Sequence, residues 1–230
     1  MKSNIGKRQS IQAAQRVLAA EGEDCLTIRR LGRELDCNPA NLYRYFSGLD
    51  ELRVYASLGY LRDYLADLQA MFAAEPDPVA RYYGVWECFA RHAFAHSQVF
   101  DQLFFYPGHR ELDRVTHDYY YLFPAEVEAM GQLRHVFMQG DFDFRDFLML
   151  DELAKQGYVD AADTAALNKL SVNLFRGSFK RVLDRGYDAA DQRREKEQFL
   201  SLLHFVFDQR LLTPVDPVDP VDPVDPAASR

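Results

Sequence analysis

The run Asn38-Pro39-Ala40-Asn41-Leu42-Tyr43-Arg44-Tyr45-Phe46 carries the densest set of recognition groups in the chain. Wound as a helix, it puts Leu42 and Phe46 on one side, four residues apart, and Pro39, Ala40, Asn41, Tyr43 and Arg44 on the other. Tyr43, Tyr45 and Phe46 cannot all point inward on a 3.6-residue repeat, so an aromatic edge faces out. Small groups near the start of such a helix allow close approach to base edges. An asparagine can pair with adenine or bond phosphate, and tyrosine hydroxyls and arginines are common phosphate contacts. The chemistry is hydrogen bonding and charge neutralisation on a nucleic acid, with no covalent step.

A second constellation is Cys88, His92 and His96, which recur every four residues and stack along one side of a helix. Cys-x3-His-x3-His is not a standard zinc spacing, and a fourth ligand would have to come from elsewhere, such as His117 or His135. Polar pocket lining or a plain helix face is the other reading, and the sequence implies neither a metal nor another cofactor. Signatures of catalysis are missing: there is no Glu-x-x-His pair, no His-Glu-x-x-His, no Gly-x-Ser-x-Gly and no pair of glycines one residue apart. The chain is expected not to be an enzyme.

The elements that would position the recognition groups are legible around them. Ile11, Ala14 and Leu18 follow helical spacing and Gly22 suits a left-handed cap, which predicts a first helix over 6–21. Thr27 is a good N-cap for a second, carrying Ile28, Leu31 and Leu35 and ending near Asp36. Asn38-Pro39 opens a third that runs to Phe46, with proline at the one helical position that tolerates it. Two short helices across a tight turn, braced by another, are the minimal unit that places a helix in the major groove. From Asp50 the pattern Leu52, Tyr55, Leu58, Leu61, Leu65, Leu68, Phe72 predicts one long continuous helix as far as Pro76-Asp77-Pro78. A further helix carries Val79, Tyr82, Trp86, Phe89 and Ala93, and two more cover about 163–185 and 189–211. No alternating pattern of useful length is present, so the fold class is all-α.

Bulk properties agree with a globular protein that has such a head. With 230 residues, 48% of them hydrophobic, the chain can bury a core. No stretch has the length of a membrane span and the start is not an apolar export segment, so a cytoplasmic protein without membrane contact is expected. Three cysteines (Cys25, Cys37, Cys88) are too few for a disulfide framework. A net charge of -8 argues against nucleic acid until its distribution is considered, because residues 1–50 hold 8 Lys+Arg against 6 Asp+Glu while the remainder is acidic. The domains read as a DNA-binding head over 1–50, a helical body over 51–213 and a tail over 214–230. That tail repeats Val-Asp-Pro four times, which predicts a solvated, disordered spacer; an acidic comb that docks on a partner or competes with DNA is the other reading.

Thr27-Ile28-Arg29-Arg30-Leu31-Gly32, the stretch from Asn38 to Phe46 with its Leu-Tyr-x-Tyr-Phe ending, and Asp50-Glu51-Leu52 together resemble the DNA-binding domain of the tetracycline-repressor (TetR) family. Ile11-Gln12-Ala13-Ala14 and Ala20-Glu21-Gly22 of the first helix agree as well, so the likeness spans about residues 7 to 55. The resemblance implies that Thr27, Arg29, Tyr43 and Tyr45 hold the DNA backbone and that Pro39, Ala40 and Asn41 face bases. Asn38 belongs to the same surface, and Arg44 fits a phosphate contact on charge. Asp36 stands where the family usually has glycine, Ala40 where many have glycine, and Leu49 where most have a phosphate-binding lysine.

The resemblance also implies a small-molecule effector bound between body helices and a homodimer on a double-stranded DNA operator. Tyr82, Trp86, Phe89, His92, Phe104, Tyr120 and Phe137 are the candidate pocket residues in an unusually aromatic body, although such side chains equally suit an ordinary core. Leu170, Leu174, Gly177 and Ser178 with Phe199, Leu203 and Val206 offer faces that two subunits could join in a four-helix bundle, or that pack within one subunit. The function expected is a repressor released from its operator by an effector. A helical ligand-binding or scaffolding protein with a degenerate head, an all-α metalloenzyme around Cys88, and activation rather than repression are the alternatives.

Overall fold

The structure, a computed structural model, describes residues 6–105, 109–129 and 142–212. Helix α1 (Lys7–Glu21) starts at Gly6, whose N–H donates to the Gln9 side chain, and ends at Gly22 with φ +83°. Its buried face is Ile11, Ala13, Ala14, Val17 and Leu18. Helix α2 (Ile28–Glu34) is capped by Thr27, whose hydroxyl accepts from the Arg30 N–H at 3.1 Å. Asp36 then takes a left-handed conformation, φ +46°, in the turn where a glycine would be freest, and the Cys37 N–H closes back onto Gly32 O at 2.9 Å.

Asn38 to Phe46 is helical as expected, yet Pro39–Arg44 winds as a 3-10 helix. Asn38 accepts from the Ala40 N–H at 3.0 Å, and Asn41 and Tyr45 donate to carbonyls three residues back. A six-residue segment wedged between a tight turn and the next helix has few α-type bonds to lose, so the tighter winding is accessible. Leu42 and Phe46 are both buried all the same.

The long helix expected from Asp50 to Phe72 is two helices, α3 (Leu49–Ser57) and α4 (Tyr60–Ala74). At the joint, Gly59 and Arg62 donate to carbonyls three residues back rather than four. The apolar pattern runs through the break because both pieces bury residues at the same spacing, α3 against α1, α6 and α7 and α4 against α5. A Cβ on Gly59 would sit 2.5 Å from the end of the Gln15 side chain of α1, which could move aside only by giving up its bond to Tyr119.

The body comprises α5 (Pro78–Ala95), α6 (Ser97–Phe104), α7 (His109–Leu122), α8 (Pro124–Ala129), α9 (Phe142–Lys155), α10 (Thr164–Arg185) and α11 (Ala189–Phe207). The last helix is shorter than expected, and a 3-10 turn, Asp208–Arg210, completes it. Asp77 and Asp188 cap α5 and α11, and Gly186 at φ +58° ends α10. Helix α5 packs on α4, α10 and α11, and Phe89 at its centre lies within 5.7 Å, ring to ring, of Phe100, Phe104, Phe142 and Phe175. Among the described residues there is no strand beyond an isolated bridge between Val159 and Leu211, and no helix is long and apolar enough to cross a membrane.

Head and body meet at a polar seam. The Lys7 ammonium donates to the Tyr55 hydroxyl at 2.8 Å and to Asp118 of α7, and Tyr55 donates to the same carboxylate. Burial alone would raise the Asp118 pKa, but the Lys7 and Tyr55 hydrogen bonds outweigh it and hold the group below its ordinary value. Gln15 donates to Tyr119, which donates to Glu126, and Arg114 pairs with Glu51 at 2.8 Å. The first helices are therefore tied to α7 and α8, beside the α3–α4 joint.

Candidate nucleic-acid interface and body cavity

The helix-turn-helix presents one open face. Thr27, Arg29, Asn38, Ala40, Tyr43 and Arg44 are exposed, Tyr43 to 60%, while Pro39, Asn41 and Tyr45 are partly covered. Beneath them Leu42 and Phe46 are buried, with Phe46 edge-on to Tyr55 at 5.5 Å and under the Lys7 ammonium at 5.6 Å. Tyr45 is edge-on to Phe46 and partly buried against the core. Two of the polar groups also brace the motif: Thr27 and Asn38 spend side-chain oxygens on backbone caps.

Charge on this face is divided between structure and solvent. Arg30 pairs with Glu21 at 2.5 Å and with Glu34 at 3.0 Å, locking α2 to the end of α1. Arg29, Arg33 and Arg44 form no ion pair among the described residues, although, after the Arg30 hydrogen bond, the Arg33 charge also helps to hold the Glu21 pKa down. Arg33 was not singled out in the sequence, although its place four residues after Arg29 on α2 was a signal that could have found it. Leu49, by contrast, packs partly against the core and offers no charge.

The two motif helices touch through Gly32. A Cβ there would meet Pro39 Cγ at 2.8 Å and Cys37 O at 3.2 Å, a stiff ring and a backbone oxygen that cannot swing aside. Gly32→Ala would gain about 1 kcal/mol in a free helix. Here the overlap is expected to outweigh that, with a net loss of about 1 to 2 kcal/mol in urea unfolding. An unchanged or raised midpoint would show that the close approach is not needed.

Within the body, a cavity of about 370 Å³ lies among α4, α5, α6 and α9. Tyr64, Leu68 and Phe72 come from α4, Val85, Trp86 and Phe89 from α5, Phe104 from α6, and Phe142, Asp146, Met149 and Leu153 from α9. Of the expected pocket residues, Trp86, Phe89 and Phe104 line it. Tyr82, His92 and Tyr120 do not. Tyr82 is turned into the core, stacked on Phe207 at 4.6 Å, His92 is 2.8 Å from Asp67 at the edge of α4, and Tyr120 is buried against Tyr119. Phe137 lies outside the described residues. Cys88 is buried beside Tyr64 O, its thiol pushed up to about 11 by burial, and His96 packs edge-on to Tyr60. Among the described residues no group of three or more His, Cys, Asp and Glu is placed to hold a metal.

Asp146 is the polar feature of the cavity wall that the sequence reading missed. Its Oδ1 accepts from Trp86 Nε1 at 3.1 Å and its Oδ2 from Asn168 Nδ2 at 3.2 Å. The Tyr82 hydroxyl, which also shares a 2.8 Å bond with Ser171, engages it too. Burial pushes its pKa up to about 7, and the three neutral donors pull only part of the way back. A carboxylate raised in the folded state contributes stability that is complete below its unfolded value and is lost as pH rises through about 7. Between pH 5 and pH 8 the wild type should therefore lose about 2 to 3 kcal/mol relative to Asp146→Asn, read as the difference between their urea unfolding free energies. A difference that stays flat with pH would contradict this.

The expected subunit-joining residues divide between interior and surface. Ser178, Phe199 and Leu203 are buried within the chain, Phe199 packing on Trp86 of α5 and Phe175 of α10. Leu170 and Gly177 are exposed, and Leu174 and Val206 are partly so. Leu202 and Phe205, the latter 69% exposed, hold the outer side of α11 in their place.

No protein-family model matches the chain, and neither does any curated protein. Solved structures do. A TetR transcription regulator from Haloarcula marismortui aligns with a TM-score of 0.52 at 17% identity, over 88% of this chain and 96% of that one. A candidate tetR-family regulator from Shewanella sp. PV-4 aligns at 0.49 and 14%, over 91% and 100%. The ketosteroid transcriptional regulator KstR2 of Mycobacterium tuberculosis aligns at 0.44 and 15%, over 92% and 98%. With its helix-turn-helix at the front and an all-helical body behind, the chain has the fold of the TetR regulator from Haloarcula.

Proposed function

We propose that the chain is a cytoplasmic, homodimeric transcription regulator that binds double-stranded DNA through residues 1–50 and is released from its operator by a small molecule bound in the body, 51–213. The observation that carries this reading is the division within one short helix: Leu42 and Phe46 are buried while Tyr43 and Arg44 are exposed, as are Arg29 and Arg33 of α2. Thr27, Arg29, Tyr43, Tyr45 and Arg44 contact phosphate, and Asn38, Pro39, Ala40 and Asn41 face the base edges. Selection from a random duplex pool tests it. Retained fragments should share an inverted repeat with half-sites about one helical turn apart, roughly 34 to 36 Å. A pool without a common element, retained equally at high salt, would contradict it.

Two subunits join through the outer sides of α10 and α11, where Leu170, Leu202 and Phe205 are exposed. A buried aromatic anchor turned into an unpaired carboxylate is costly, so Phe205→Glu is expected to convert the dimer into a folded monomer at micromolar concentration. Sedimentation velocity reads the change, and a variant that remains a dimer would move the interface elsewhere.

Coupling between cavity and DNA runs through α4 and α6, which wall the cavity and connect to α3 and to the Lys7–Asp118 seam. An effector that displaces α4 acts at the Leu58–Gly59 joint, where α1 is also in contact. Such coupling is reciprocal and typically about 1 to 3 kcal/mol, so effector and operator weaken each other by the same factor.

A further inference from the structure

We propose that the cavity takes a lipophilic amine, whose apolar, ring-bearing body sits among Trp86, Phe89, Phe104 and Phe142 and whose protonated nitrogen pairs with the Asp146 carboxylate. This rests on the reading of the cavity as the effector site and names the chemistry of the effector. Asp146 is nearly fully buried, and its hydrogen-bond partners among the described residues are the neutral donors Trp86, Asn168 and Tyr82. A buried carboxylate held only by neutral groups gains a counter-charge when an ammonium arrives, and the surrounding ring faces favour a cation further.

The cavity wall carries charges of both signs, and the cations among them are engaged within the chain. Arg81 of α5 is spent on the end of α4, donating to the Glu75 and Phe72 carbonyls and lying over the Phe72 ring. Arg145, on the same helix as Asp146, is held 5.6 Å from the Phe104 ring. Asp143, also on α9, is paired with Arg176 of α10 at 2.7 Å. Glu152 adds a second carboxylate to the wall. Arg81 and Arg145 line the wall as well, but both are engaged within the chain, so Asp146, held by neutral donors, is the charge that an ammonium would neutralise and that a neutral alcohol would leave without a counter-charge.

Trp86 is the only tryptophan of the chain and donates to Asp146, so its emission reports the site directly. The probes are 4-phenylbutylamine, 4-phenylbutan-1-ol and 4-phenylbutyrate, matched in body and different in charge, titrated into the full chain with excitation of Trp86. At pH 8 the amine is expected to bind at least about tenfold tighter than the alcohol, and the acid weakest. At pH 6, where Asp146 is mostly protonated and the amine still charged, amine affinity should fall by about tenfold and alcohol affinity should not change. Asp146→Asn should erase the amine preference while the alcohol binds as before, with circular dichroism checking its fold. Equal binding of amine and alcohol, tighter binding of the acid, or no response to any probe overturns the proposal, and the first two are read on the wild type alone. A duplex titration on the same sample separates the two readings. Duplex binding with no amine preference removes only the ligand class, and amine preference without duplex binding removes only the regulator.

Discussion

Replacing Tyr43 or Arg44 by alanine is expected to lower affinity for a selected duplex by about tenfold each, or ~1 to 2 kcal/mol, without changing the unfolding midpoint. Both side chains are exposed and neither forms a hydrogen bond or ion pair among the described residues, so their loss is expected to be felt only when DNA is present. The two variants should differ in salt dependence. Arg44→Ala removes a charge and should reduce the slope of log affinity against log salt by about one, whereas Tyr43→Ala should leave the slope nearly intact. Being adjacent, they need not add when combined. Arg193, equally exposed but on α11, provides the control, since its alanine variant should bind DNA as the wild type does.

Phe46→Ala is expected to have the largest effect on the head. The ring is 3% exposed, packs edge-on to Tyr55 and lies under the Lys7 ammonium, so it joins the reading helix, α3 and α1 at one point. Truncating a buried phenylalanine costs about 3 to 5 kcal/mol, a large fraction of what a fifty-residue head can supply. DNA binding should be lost, and amide exchange should rise across residues 7–55 while α10 and α11 keep their protection. Exchange spread evenly over the chain would mean that head and body unfold as one unit. Normal DNA binding would mean that the ring does not brace the reading helix.

The helix-turn-helix was legible because its signals are local. Thr27 and Asn38 cap the helices they precede, Gly22 ends α1, and the four-residue spacing of Leu42 and Phe46 reports which side is inside. What failed depended on packing at a distance. The break at Leu58–Gly59 is hidden because the leucine spacing continues through it, Leu52 in α3 and Leu61, Leu65 and Leu68 in α4 all being buried although the two helices pack on different neighbours. Tyr82, His92 and Tyr120 carry the residue types of a pocket, but periodicity cannot tell which of several buried faces borders the empty space. Phe199 and Leu203 likewise had the pattern of an interface and proved to be core, because a helix packed on one side repeats its apolar residues whether the neighbour is the same chain or another. Asp146 had a usable signal: it stands in register with Phe142, Met149 and Leu153, a lone acid on an apolar stripe.

Hydrogen-exchange mass spectrometry of the full chain, with and without a selected duplex, tests the central claim most directly. Duplex is expected to slow exchange at Thr27–Arg33 and Asn38–Tyr45, the segments that hold the exposed Arg29, Arg33, Tyr43 and Arg44, and to leave the outer side of α11 around Phe205 unaffected. Duplex-dependent protection confined to the body, with Asn38–Tyr45 exchanging as in the free protein, would contradict it.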